Sequence, residues 1–357
     1  MRAAVLWDVD DLRLDEVELD PPQPGEVELR MAASGVCRSD FHELRGIHRH
    51  PMPFVLGHEG AGVVESVGEG VVGVSPGDHV VCSWLPYCGS CRRCVSGRPV
   101  LCERLGAFDA GYLSDGTTRF WVGDPDRPTR IRHNVPSSFA ERIVVPASTV
   151  FPVDRALPLE QVALLGCAVM TGVGAVVNTA KVRAGDSVLV IGCGGVGLSA
   201  VQGARIAGAG SIVAVDVVAS KLELARELGA TDVVLAGTEE IPGGFDHAFE
   251  CLGRPETIEQ AMGAVAPGGT TVLVGMARPD ARASLDALTT TVQERTVTGS
   301  WYGSVVPPRD FPRLANLLRA GELRLEPMVA RTITLDELHD ALARFETGEE
   351  ARSVVVF

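Results

Sequence analysis

Across 357 residues the sequence offers no apolar run long enough to span a bilayer. The N-terminal stretch Met1-Arg2-Ala3-Ala4-Val5-Leu6-Trp7 meets Asp8, Asp10 and Asp11 before a signal-peptide core can form. Positive charge is in deficit: 32 Lys and Arg against 46 Asp and Glu leave a formal net charge of −14. Binding to nucleic acid or to an anionic membrane rests on basic patches, so neither is expected as a partner. These absences predict a soluble, cytoplasmic protein that works on a small molecule. Cysteine, by contrast, is plentiful at nine residues. In an intracellular chain that number argues for metal sites or catalytic thiols rather than disulfides. The length allows two domains, each with a core of good size.

The first part of the chain reads as β structure. Short strand-like runs, Ala3–Trp7 and Glu26–Met31, are separated by Pro21-Pro22-Gln23-Pro24-Gly25, a density of Pro and Gly that excludes a helix. Cys37 follows Gly35-Val36, His58 stands in Gly57-His58-Glu59-Gly60, and Cys167 comes far downstream after Gly166. Taken alone, Cys37 also fits a buried cysteine opening a short helix, and His58 a structural histidine. Taken together, one His and two Cys in small-residue loops supply three metal ligands and no fourth. That is how a catalytic zinc with an open position is built. Cys88, Cys91, Cys94 and Cys102 form a different set, with two-residue gaps and then a seven-residue gap. Four thiolates close a tetrahedral zinc site, which makes this one structural. Residues 103–135 are expected to be loop, with Asp124–His133 a charged, Pro-bearing solvated segment or, alternatively, a basic wall for an acidic substrate. His48 and His50 are expected in a solvated loop or, alternatively, at the border of the pocket, and Cys82, Cys193 and Cys251 as small buried residues.

At about Leu157 the texture changes to alternating strands and helices. Ser187–Ile191 is a continuous apolar strand that runs into Gly192-Cys193-Gly194-Gly195-Val196-Gly197 and then an Ala- and Gly-rich helix. The next strand ends at Asp216. A G-x-G-x-x-G between strand and helix, with an acid at the tip of the following strand, is a dinucleotide-binding unit. The glycines let backbone N–H groups approach a pyrophosphate at the helix N-terminus. Asp216 would accept from the adenosine ribose and repel a 2′-phosphate, which favours NAD over NADP. The alternation continues to Thr296–Trp301, and Ser353–Phe357 closes as a strand expected to return to the first domain.

In this order, the Cys37-Arg38-Ser39-Asp40, Gly57-His58-Glu59, four-cysteine, Gly166-Cys167 and dinucleotide motifs resemble the zinc-dependent medium-chain alcohol dehydrogenase family over essentially the whole chain. The resemblance is to the class III-like branch, near mycothiol-dependent formaldehyde dehydrogenases. It implies a mixed α/β fold: a GroES-like β domain (1–164 plus 304–357, with a zinc lobe at 86–103) interrupted by a Rossmann domain (165–303), with the active site in the cleft between them. It implies two zinc ions, a catalytic one on Cys37, His58 and Cys167 and a structural one on the four cysteines. Glu59 would sit behind the metal and Asp40 would orient His58. Ser39 would hydrogen-bond the substrate oxygen, and His42 would carry the proton to solvent through the nicotinamide ribose. Arg38 and Arg352 would reach the pyrophosphate, and Thr171, Gly192, Gly194, Gly195, Val196, Gly197, Asp216, Lys221 and Arg254 would contact NAD. Trp84 would line the substrate pocket. The resemblance further implies a homodimer or homotetramer joined at the strand near Thr298. Its implied activity is hydride transfer between a primary alcohol, or its aldehyde, and NAD. The alternatives are an S-(hydroxymethyl)mycothiol or glutathione dehydrogenase and a nicotinoprotein that keeps its NAD. The segment Leu105–His133 departs from the class III-like pattern.

Overall fold

The computed structural model describes residues 1–48, 50–106, 110–346 and 352–357. The chain forms two compact units, one of Met1–Cys167, Val306–Ala320 and Val329–Phe357, the other of Ala168–Val305 and Gly321–Met328. The boundaries expected from sequence fall at 164 and 304. In the structure Leu165–Cys167 stay with the first unit, and Gly321–Met328 return to the second.

The first unit is built on the strand Glu26–Gly35. Val27, Leu29, Met31 and Ala33 alternate along it and all four are buried. Fully burying Val27, Leu29 and Met31 contributes about 1.5–3 kcal/mol each. This strand pairs antiparallel with Glu59–Val67, Arg142–Pro146 and Ser353–Val356. The last of these pairs in turn with Arg331–Ile333, so residues near the C-terminal end complete the N-terminal sheet. The register sets Gly35 opposite both Glu59 and Val354. As a result Cys37, His58 and Arg352 leave their strands at the same end of the sheet. A second sheet runs in the order Asp11–Glu16, Arg2–Asp8, Phe54–Val55, Arg127–His133, Phe120–Asp124, Glu18–Leu19.

Residues 120–133, expected as loop, are therefore a β-hairpin. Phe120–Asp124 pairs with Arg127–His133 around a tight turn at Pro125-Asp126. Charge concealed the pattern: Ile131 and His133 point inward while Arg127, Thr129 and Arg130 are exposed. The hairpin is also anchored by polar groups. Thr118 Oγ1 donates to the Ile131 carbonyl at 2.6 Å, and the buried Arg119 guanidinium donates to Glu26 at 2.7 and 2.8 Å and to Asp115 at 2.6 Å.

The second unit is a six-stranded parallel sheet, in the order Asp232–Leu235, Ser211–Asp216, Ser187–Ile191, Phe245–Glu250, Val265–Leu273, Thr296–Gly299. The strand order reverses beside Ser187–Ile191, the doubly wound arrangement that places ligands beyond the strands' C-terminal ends. Its core includes Leu189, Ile191, Val213, Val215, Phe245 and Ala248. Among the described residues no single helix is long and apolar enough to cross a membrane.

Candidate active site

At the strand ends of the first unit, one ligand atom from each of Cys37, His58, Glu59 and Cys167 lies within 4.8 Å of the others, and all four residues are buried. Each is set there for a local reason. Cys37 caps the helix Arg38–Leu44, and its backbone N–H donates to Asp40 Oδ2 at 2.9 Å. The other oxygen of Asp40 meets His58 Nδ1 at 2.9 Å, which fixes the imidazole and leaves Nε2 for the thiols. Glu59 fits behind them because residue 35 is glycine: a side-chain carbon there would run into the Glu59 carboxylate. Arg352 holds Glu59 Oε1 and donates to the Val36 carbonyl at 2.8 Å. The second oxygen, Oε2, is buried with no partner among the described residues.

The electrostatics match a cation-binding cluster. The Cys37 thiol is held well below its ordinary pKa, first by the hydrogen bond from Cys167 and then, against burial, by Arg352 and His58. Cys167, the donor in that bond, is pushed up, with burial adding to the effect. Burial opposes the charge on His58, yet Asp40 and Cys37 hold it well above its ordinary value. Burial raises Glu59 to about 7 in spite of Arg352. A thiolate, a second thiol and an imidazole crowded together out of water, with an orphaned carboxylate oxygen beside them, fit a zinc ion.

Ser39 is half-buried, its Oγ 3.8 Å from Cys37 Sγ. His42 lies one helical turn on. It is held down to about 4 by burial first, then by the charges of His48 and Arg38. Arg38 is exposed, with its guanidinium over the Phe345 ring at 5.9 Å. Trp84 is half-buried. Arg352, expected at a pyrophosphate, is instead buried against Glu59. Its guanidinium is engaged by Glu59 and the Val36 carbonyl.

The four-cysteine set also converges. Cys91 and Cys94 sulfurs lie 3.5 Å apart, Cys88 and Cys94 3.9 Å, and Cys91 and Cys102 3.9 Å. Backbone N–H groups of Cys91 and Cys88 point at the sulfurs of Cys88 and Cys102, as they do around thiolates. Nitrogens of Ser90 and Cys91 hold Cys88 down to about 6.

In the second unit, Gly192–Gly197 joins Ser187–Ile191 to the helix Gly195–Ala207. Gly194 caps that helix with an ordinary extended backbone, and a side-chain carbon on it would meet no atom within 4 Å. The protein itself does not require glycine there; space is left over the helix N-terminus. Asp216 is buried at the tip of its strand and accepts from Cys193 N at 2.7 Å and Val218 N at 2.9 Å. Thr171, Val196 and Lys221 are half-buried, and Arg254 is exposed at the start of the helix Pro255–Ala264.

Two features were missed in the sequence. Glu250 is fully buried and gathers the N–H groups of Leu252 and Gly253 and the Thr257 hydroxyl, knotting the strand to the helix beyond it. An acid ending an apolar strand and followed by glycine was the available signal. The other is the position of His48 and His50: His48 stacks on His42, and His50 Nε2 lies 3.3 Å from the buried Glu43.

Two family models match: "Alcohol dehydrogenase GroES-like domain" over residues 23–155 and "Zinc-binding dehydrogenase" over 195–320. The chain belongs to the zinc-dependent medium-chain alcohol dehydrogenase family. It is an oxidoreductase of alcohols and the corresponding carbonyl compounds, with zinc and a nicotinamide dinucleotide as cofactors. It is 39% identical to the NDMA-dependent alcohol dehydrogenase of Amycolatopsis methanolica, over 99% of this chain and 98% of that one. It is also 39% identical to S-(hydroxymethyl)glutathione dehydrogenase of Escherichia coli, over 96% of each. Benzyl alcohol dehydrogenase of Acinetobacter calcoaceticus superposes with a TM-score of 0.93 at 31% identity, over 100% of this chain and 99% of that structure.

Proposed function

We propose that this chain oxidises primary alcohols to aldehydes, and reduces them back, with NAD and a catalytic zinc ion held by Cys37, His58 and Cys167. The observation that carries the reading is the buried convergence of two thiols and one imidazole. Three N and S donors leave one coordination position for a substrate oxygen. When bound, zinc supplies Lewis acidity at that position and NAD supplies the hydride acceptor.

The protein's own residues prepare the rest. Asp40 holds His58 in one tautomer, and the Arg352 charge beside Glu59 favours the Cys37 thiolate. The Ser39 hydroxyl stands beside Cys37, within reach of an alcohol proton. His42 is neutral at physiological pH and so free to accept that proton and release it to solvent. Asp216 would bind the adenosine ribose and repel a 2′-phosphate, favouring NAD. Gly192–Gly197, Thr171, Val196, Lys221, Arg254 and Arg38 complete the nucleotide site, and Trp84 walls the substrate pocket. Arg352 we assign to Glu59, not to the pyrophosphate.

We further infer a second, structural zinc on Cys88, Cys91, Cys94 and Cys102, giving two ions per chain. A homodimer or homotetramer would join at the strand Thr296–Gly299, a reading supported by exposed Leu288, Val292 and Val297 on that side of the sheet. Nine free cysteines support a reducing, cytoplasmic setting.

The test is NAD+ reduction over aliphatic and aromatic primary alcohols, with metal analysis of the freshly purified protein. Active protein free of zinc would refute the reading. Formaldehyde oxidation that requires added mycothiol or glutathione would redirect it to a thiol adduct. A second reading, in which NAD stays bound through turnover, draws on the relative named for its dependence on NDMA. Nucleotide released on denaturing the protein would support it.

A further inference from the structure

The helix Arg38–Leu44 is followed by Gly46 with φ +63°, a left-handed turn that glycine adopts readily. The turn folds the chain back over the end of the helix. Ile47 N donates to the His42 carbonyl at 2.8 Å, and His48 N to the same oxygen at 3.4 Å. The His48 imidazole therefore lies on that of His42, with centroids 5.3 Å apart and planes within 29°. Phe41 touches His42 only at a tilt, 6.3 Å away. His42 Nδ1 is buried and has no hydrogen bond among the described residues. The orientation of the His42 ring thus rests on packing, and His48 covers its face.

The surrounding charges divide between the two rings. His42 faces His48 and Arg38 as cations, and Cys37 and Glu43 as anions. His48 faces Glu43 and His50. Glu43 is itself fixed: one oxygen lies 3.3 Å from His50 Nε2, and the other accepts from Asn134 Nδ2 at 2.8 Å.

We propose that His48 is a positioning residue for the proton step of alcohol oxidation, orienting the His42 ring and competing with it for a proton. This rests on the reading of His42 as the group that carries the alcohol proton to solvent. Two imidazolium rings stacked at this spacing repel, so the pair holds one proton before it holds two. Both rings are held down by burial, but His42 also faces the Arg38 charge and is the weaker base, so that first proton falls to His48. His42 stays neutral, the form that accepts a proton.

The test follows alcohol oxidation by the zinc- and NAD-supplied enzyme in wild type, His48→Ala, His48→Phe and His42→Gln, from about pH 5 to about pH 9. In His48→Ala, kcat falls about five- to tenfold and the acid limb moves up by about one pH unit, while KM for NAD+ stays within about twofold. His48→Phe keeps the stacked ring and recovers most of kcat, yet its acid limb still moves up because the competing charge is gone. A His48→Ala profile that overlays wild type overturns the proposal. So does a uniform loss of kcat with the acid limb unmoved, which would mark His48 as merely structural. If His42→Gln keeps wild-type kcat and pH profile, the relay reading fails and takes the proposal with it. If His42→Gln is impaired while both His48 variants behave as wild type, the proposal alone falls.

Discussion

Replacing Arg352 by Met would strand a carboxylate. The side chains of Arg352 and Glu59 are 4% and 0% exposed, so no water replaces the lost cation. The guanidinium also holds the Val36 carbonyl, just before Cys37. Burial raises Glu59 to about 7 even with Arg352 in place. Removing one partner of a buried ion pair costs about 3–5 kcal/mol, and Arg352→Met should lose about that much in urea unfolding of the zinc-free protein at about pH 8, above the Glu59 value. Glu59→Gln removes the charge from the other side. The double variant should therefore lose much less than the sum of the two single losses. The sign of the pH dependence follows from the raised carboxyl. The folded state keeps that proton to higher pH than the unfolded chain, so Arg352→Met should lose further stability as pH rises from about 5 to about 8. An Arg352→Met loss under about 1 kcal/mol would refute the reasoning, since a pair that size is a surface pair. Strict additivity in the double variant would refute it equally.

Three further outcomes are expected. His133 is buried beside Arg119 and pushed down to about 3, burial acting first. The unfolded chain binds its proton below about 6.5, so the stability that neutral His133 contributes is present above that pH and is lost as pH falls toward the folded value. By pH 5 that loss is about 2 kcal/mol, and His133→Gln, which can still accept from Arg119 N, should flatten it in paired urea titrations. Gly194→Ala should leave stability within about 1 kcal/mol yet raise KM for NAD+ by about tenfold or more, since the added methyl meets only the space reserved for the nucleotide; an unchanged KM would remove that space from the cofactor site. Cys91→Ser should halve the zinc content and lower the thermal midpoint while leaving residual turnover, because metal binding at a closed thiolate site is folding free energy.

The parts of this fold that were legible in sequence are those governed by short-range rules. The strand–glycine loop–helix unit ending at Asp216 is written in consecutive residues, and so is the spacing of Cys88, Cys91, Cys94 and Cys102. What escaped was long-range or masked by charge. Arg127–His133 buries only Ile131 and His133, at one end of a face whose other residues, Arg127 and Thr129, are exposed, so it shows no alternation and resembles a loop. The Arg352–Glu59 pair was not legible because an arginine's partner depends on register. Only the pairing of Val354 with Gly35 turns it onto Glu59. His48 escaped because its place over His42 depends on one left-handed glycine, not on any period.

That register also orders events in time. Arg352 and Glu59 are 293 residues apart, and Val36 N donates to the Ser353 carbonyl at 2.9 Å. On the ribosome the Cys37 and His58 loops emerge long before the strand Ser353–Val356 that seats between Glu26–Gly35 and Arg331–Ile333. Until then the Glu59 carboxylate has no counter-charge, and the edge of Glu26–Gly35 stands open to other strands. Closure of so distant a contact is slow, and the interval exposes an unpaired sheet edge. The second unit is, apart from Gly321–Met328, the single stretch Ala168–Val305, and that stretch can fold in the interval. The buried cluster of Cys37, His58, Glu59 and Cys167 thus receives its counter-charge late, although three of its four residues are among the first made.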